Sequence, residues 1–197
     1  STLVAFGSTR RPRGKVDDDA TLRNLLDANT SAVCIVAKSW DYHVLEALQT
    51  TLDEGEAMIA DSEKNWKKAD SFYEIASGLT TKPASVLNNW GYSKLTRGDN
   101  AGAEKLFIEA LKYEPTLFTA KNNLVLSRAA QRKYDLPVVD MTQTERAELL
   151  YTMALAAIKQ GDVSVGKGLL QQAVDTHPQH FEAAARSLAA LDANVGN

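Results

Sequence analysis

The stretch Leu87-Asn88-Asn89-Trp90-Gly91-Tyr92-Ser93-Lys94-Leu95-Thr96-Arg97-Gly98-Asp99 decides the fold, because parts of it recur downstream at fixed distances. Lys121-Asn122-Asn123-Leu124 repeats the paired asparagines at a spacing of 34, and Arg128 follows Lys94 at the same interval. Gly98-Asp99 returns as Gly161-Asp162, and Pro115 as Pro178, both at a spacing of 63. Leu87, Trp90, Gly91 and Leu95 share neighbouring faces of one helix, which Gly98-Asp99 breaks. Ala103, Phe107 and Ala110, spaced four and three apart, are the buried stripe of a second helix that Pro115 stops. Small residues beside large ones at this spacing let two helices approach closely, so these positions are structural.

A period of 34 is that of the tetratricopeptide repeat, a helix–turn–helix unit that buries its apolar face by stacking on neighbours. Residues 84–117 form the best unit, and 147–180 repeat it. There Leu150, Met153, Ala154, Ala157 and Ile158 make one stripe, and Leu169, Leu170, Ala173 and Val174 the other. Between them, 118–131 reads as a first helix whose partner is replaced by the extended run Leu136-Pro137-Val138-Val139. Thr142 or Thr144 caps the next helix. The alanine-rich 181–191 closes the stack. Upstream, Ala69, Tyr73 and Ala76 mark another second helix, with a partner over about 42–61 that supplies Ala57 and Ala60.

Residues 1–40 differ in character. Leu3-Val4-Ala5-Phe6 and Val33-Cys34-Ile35-Val36 read as strands, and Asp17-Asp18-Asp19 opens a helix between them, its acids favouring the helix dipole. This is β-α-β order, the unit of a parallel sheet. The expected fold is therefore mainly α: a helical-repeat domain over 63–197 with a β-α-β-α segment over 1–62. Two strands alone are marginal, so their edges are expected to dock on the helical stack. The chain opens on Ser1 without a basic and apolar leader pattern, as a processed chain or part of a longer one would.

From about Lys64 onward the chain resembles the tetratricopeptide-repeat proteins of the tight-adherence (Flp) pilus assembly system, the TadD family. The carrying residues are Leu87 to Tyr92, Arg97-Gly98-Asp99, Lys121 to Leu124, Leu136 to Val139 and Thr176-His177-Pro178. The resemblance implies a pilus or secretin component as partner, in a bacterial envelope. Residues 2–62 are similar instead to a stretch of citramalate synthase, through Ala5-Phe6-Gly7-Ser8-Thr9-Arg10-Arg11, Lys38-Ser39-Trp40-Asp41 and Ala57-Met58-Ile59-Ala60-Asp61-Ser62. That resemblance implies a cytoplasmic enzyme condensing pyruvate with acetyl-CoA on a metal-bearing (β/α)8 barrel. It sets Arg10, Arg11 and His43 near strand ends, where substrate contacts lie. This chain lacks the family's first-strand aspartate motif and its His-x-His ligands.

Composition narrows the function classes. The 197 residues are 44% hydrophobic and 24% charged, with a formal net charge of −3, ordinary values for a folded chain. No apolar run reaches the roughly 18–20 residues that cross a bilayer. A pI near 5.6 argues against a nucleic-acid binder. The single Cys34 excludes an intramolecular disulfide and a multi-cysteine metal site, and its apolar neighbours read as those of a buried thiol.

Other candidates favour plain readings. Gly161 to Gly168 nearly fits a phosphate loop, but Gly168 stands where the hydroxyl is needed and a helix, not a strand, precedes it. His177 and His180 are two ligands where a metal needs three or four. The basic run Arg10, Arg11, Arg13 and Lys15 reads as a solvated loop. Asp41 and His43 are too close in sequence to face each other on a helix.

The expected function is thus binding, without catalytic residues or cofactor. Asn88, Tyr92 and Leu95, then Asn122, Leu126 and Ala129, are the candidates for a peptide groove lined by first helices. An asparagine amide can satisfy both donor and acceptor of an extended backbone. Asn89 and Asn123 are read equally as inter-helix hydrogen bonds. The groove lacks the paired cations that clamp a C-terminal carboxylate. The rival expectation is part of an acyltransferase; a third is a stack that serves only to form oligomers.

Overall fold

The computed structural model describes residues 4–8, 32–36 and 52–195, and these are mainly helical. Strands β1 (Val4–Ser8) and β2 (Ala32–Val36) pair in parallel, with Val4 opposite Ala32 and Ser8 opposite Val36. The helix expected between them, the basic run at 10–15, Asp41, His43, the surroundings of the Cys34 thiol and the docking of the strands all lie outside the described residues.

Among the described residues, the strands are followed by helices α1 (Leu52–Ser62), α2 (Trp66–Leu79), α3 (Ala84–Thr96) and α4 (Asn100–Tyr113). Then come α5 (Phe118–Ala129), α6 (Gln143–Lys159), α7 (Val163–Thr176) and α8 (Glu182–Val195). Each packs chiefly on its sequence neighbours, and α3 also meets α5. Helix α1 pairs with α2.

The turns reveal how regular the chain is. α2, α4 and α7 begin at residues 66, 100 and 163, so the intervals of 34 and 63 hold for the elements themselves. The preceding turn carries a left-handed residue at one register: Lys64 (φ 58°), Gly98 (φ 87°) and Gly161 (φ 86°). Arg132 (φ 58°) stands at that register too, one repeat period after Gly98. Next comes the helix cap. Asn65 accepts from the Lys68 amide at 3.4 Å, and Asp99 from the Gly102 amide at 2.9 Å.

After Arg132 this position holds Lys133, which cannot accept, and Pro137 follows where a fourth helical residue would donate. The second helix therefore never starts. The extended segment fills the gap: Leu136 packs on the α5–α8 core and Val139 on the α3–α5 core. Thr142 then opens α6 with a capping box, accepting from the Glu145 amide at 3.1 Å while donating its own amide to that carboxylate at 2.7 Å.

Among the described residues, three core clusters run along the helices. Ala57, Ala60, Ala69, Tyr73, Ala76 and Val86 form the first, and Leu87, Ala103, Phe107, Ala110 and Leu124 anchor the second. Met153, Ala154, Ala157, Leu170 and Ala173 centre the third, against which Phe181, Leu188 and Leu191 of the terminal segment pack. Gly91 marks a close approach of α3 to α4. A Cβ there would stand 2.6 Å from the Phe107 ring. The expected core stripes of both full units are buried or packed on these clusters.

Candidate functional site

The first helices of successive hairpins are tied to one another by a ladder of side-chain hydrogen bonds. Asn89 of α3 donates its amide to the Glu54 carboxylate of α1 at 2.7 Å. Asn123 of α5 donates to the Asn88 side-chain oxygen of α3 at 3.0 Å. Thr152 of α6 donates its hydroxyl to the Asn122 side-chain oxygen of α5 at 3.0 Å. The acceptors Glu54, Asn88 and Asn122 follow one another at the repeat period of 34, and Thr152 follows Asn89 at the longer interval of 63. One position therefore accepts and the next position of the following first helix donates, three times in succession.

The ladder redistributes the expected groove residues. Asn88 is 8% exposed and committed to Asn123, and Ala129 is wholly buried in the core. Both therefore present little surface to an outside ligand. An acceptor sandwiched between helices is shielded by them, and a methyl one turn beyond Leu126 falls into the α5–α6 seam. Asn122, Leu95 and Leu126 are half-buried. Tyr92 is 53% exposed and is the most open of the six.

Tyr92 borders a hollow of about 460 Å³ between α1, α2 and α3, whose wall includes Asp61, Trp66, Tyr73, Ser93 and Thr96. Asp61 is its fixed point. One carboxylate oxygen accepts from the Tyr73 hydroxyl at 3.0 Å and the other from the Ser93 hydroxyl at 2.7 Å. Burial, then the neighbouring Asp61 charge, hold the Tyr73 hydroxyl protonated far above the ordinary tyrosine range. Burial likewise pushes the Glu54 carboxyl up, against the hydrogen bond from Asn89 that lowers it. Sequence reading missed Glu54, Asp61, Ser93 and Thr152. The signal was present in Glu54 and Thr152, which continue the intervals of 34 and 63 beyond the paired asparagines.

Arg97 and Lys94 are already engaged. Arg97 pairs with Asp70 and donates to the Trp66 carbonyl at 3.3 Å, its guanidinium 5.6 Å from the Trp66 ring centre. Trp90 donates its indole N–H to Asp70 at 2.6 Å. Lys94 pairs with Asp70 at 3.7 Å and Asp99 at 3.0 Å.

The remaining motifs are structural in the described residues. Gly161 forms the turn after α6, and Gly166 packs where a Cβ would stand 2.4 Å from Ile158. Lys167 pairs with Asp192, and the element before the segment is helix α6 rather than a strand. The His177 ring lies 4.9 Å from that of Phe181, centre to centre. Among the described residues no group of three histidine, cysteine or acidic side chains could hold a metal, and no helix is long and apolar enough to cross a membrane.

The described part of the chain is thus a row of helical hairpins with a polar seam and an acid-bearing hollow. Against known proteins, no family model matches the chain. A stretch of 66 residues is 48% identical to the (R)-citramalate synthase of Aquifex aeolicus, covering 34% of this chain and 12% of that protein. A stretch of 60 residues is 55% identical to the (R)-citramalate synthase of Synechocystis, covering 30% and 11%. A stretch of 65 residues is 49% identical to that of Streptomyces coelicolor, covering 33% and 12%. The similarity to citramalate synthases is therefore real and local: the chain spans about an eighth of the length of the curated relatives it matches.

Proposed function

We propose that residues 52–195 are a tetratricopeptide-type scaffold that holds a segment of a partner protein and performs no chemistry itself. The observation carrying this reading is the repeated register: the left-handed turn recurs at intervals of 34 and 63, the side-chain cap at 34, and the inter-helix hydrogen bond from one first helix to the next. A face built by repetition presents equivalent positions at regular spacing, which suits an extended polypeptide. Resemblance to the tight-adherence pilus proteins makes a pilus or secretin component the candidate partner. Panning the full chain against random linear peptides on phage tests the scaffold reading. Retained peptides whose affinity drops at least tenfold on Tyr92→Ser, with the helical signal unchanged, are expected; a chain that retains none overturns it.

A second reading rests on the citramalate synthase matches. A segment 43–55% identical to those enzymes over about 60 residues supports descent of that part of the chain from a citramalate synthase. On this reading the chain is a part or partner of an acyltransferase. Its test is condensation of pyruvate with acetyl-CoA, read as release of free thiol, by the chain alone and after mixing with a full-length citramalate synthase. Release by the chain alone would displace the scaffold reading.

A further inference from the structure

We infer that the hollow between α1, α2 and α3 is a subsite for the side chain of a lysine or arginine presented by the partner polypeptide. The inference rests on the scaffold reading above and names the chemistry of what it holds. Its wall carries the Asp61 carboxylate and the rings of Trp66, Tyr73 and Tyr92, and among the described residues no lysine, arginine or histidine lines it. At about 460 Å³ it lies within the usual size of a ligand pocket.

Asp61 is held from both sides by Tyr73 and Ser93, each using one acceptor site on a different oxygen. A carboxylate offers about four such sites, so two remain. Asp61 makes no ion pair with any described residue, whereas Asp70 is paired with both Arg97 and Lys94. Arg97 and Lys94 are thus spent on Asp70, and the Asp61 charge facing the hollow is left for a ligand.

Desolvation makes the choice of ligand sharp. Asp61 is half-buried, so a polypeptide laid across the hollow removes most of its remaining water. A neutral side chain there would leave a buried charge with hydrogen bonds but no counter-charge, which is costly; a cation compensates it. Tyr92, half exposed at the rim, is placed to lie along the methylene stem of an incoming lysine or arginine, whose head would meet Asp61.

The test uses the full chain. Peptides selected from a random library are expected to share one lysine or arginine. Replacing that residue by methionine in a fluorescent consensus peptide should weaken anisotropy-measured binding at least tenfold. Asp61→Asn, folded by circular dichroism, should erase the difference between the two peptides. The Trp66 indole N–H resonance of the unaltered chain should shift on adding the basic peptide, which keeps the test sound if Asp61→Asn does not fold. Selected peptides without a shared cation would overturn the subsite and leave the scaffold reading standing. So would a cation preference that survives Asp61→Asn, or an unmoved Trp66 resonance. Retention of no peptide at all would overturn both.

Discussion

Asn123 donates its side-chain amide to the Asn88 side-chain oxygen at 3.0 Å, although the repeat makes Asn122, not Asn123, the equivalent of Asn88. The two asparagines of each pair thus have opposite duties, one accepting from the following helix and one donating to the preceding one. Removing the donor by Asn123→Ala leaves the buried Asn88 oxygen unmatched and should cost about 1–3 kcal/mol. In urea unfolding, Asn88→Leu combined with Asn123→Leu should cost clearly less than the sum of the two single changes. Strict additivity would mean that the bond carries no coupling.

Lys64 and Arg132 occupy the left-handed register that Gly98 and Gly161 fill in the other turns. A side chain there costs about 1 kcal/mol or more relative to glycine. Lys64→Gly should therefore stabilise the chain by about 1 kcal/mol, and Gly98→Ala should destabilise it by a similar amount. Arg132→Gly is the poorer test, because Arg132 also pairs with Asp162 at 2.7 Å. Thermal unfolding of the two variants in parallel checks both signs.

The contact between Gly91 and Phe107 leaves no room for a methyl group. Gly91→Ala should cost roughly 1–3 kcal/mol by overpacking. Shortening the opposing ring with Phe107→Leu costs stability by itself, yet in the Gly91→Ala background part of that loss should be recovered. Chemical denaturation of the double variant, compared with the two singles, reads the compensation.

Lys121, only 3% exposed, reaches the Glu145 carboxylate at 3.0 and 3.2 Å, while that carboxylate caps α6. The Thr142 amide first, and then Lys121, hold Glu145 below the usual glutamate range. A depressed carboxyl stabilises the fold fully above its unfolded value, about 4.3, and that contribution disappears as pH falls through the lower folded value. Stability should therefore drop as the solution is acidified below about pH 4.3. Glu145→Gln should flatten that loss without abolishing it. The remaining slope comes from Asp99, lowered by its hydrogen bond with Lys94, and from Glu104. Burial raises Glu104, but Lys133, Gln131 and Arg128 together hold it low.

Helical content and hairpin boundaries were readable in the sequence because small residues, turn glycines and prolines act locally. Gly98 must adopt φ of 87°, and Ala103, Phe107 and Ala110 must share a face, whatever surrounds them. The missing helix after α5 was legible for the same reason, through Pro137. The groove was harder. Asn88 and Asn122 look alike in sequence, yet one is enclosed by its neighbours and the other half-buried, since burial depends on the next helix and not on the residue.

The chain by itself determined that helices recur at intervals of 34 and 63, since propensity, cap and turn chemistry are properties of neighbouring residues. Tertiary structure alone decided which member of each polar pair accepts and which donates. It also placed α1 against α2 and α3, and so brought Asp61 to Tyr73 and Ser93, partners from two other helices. Hydrogen bonds and desolvation act through space at about 3 Å. Only the packing of one helix on another sets those distances.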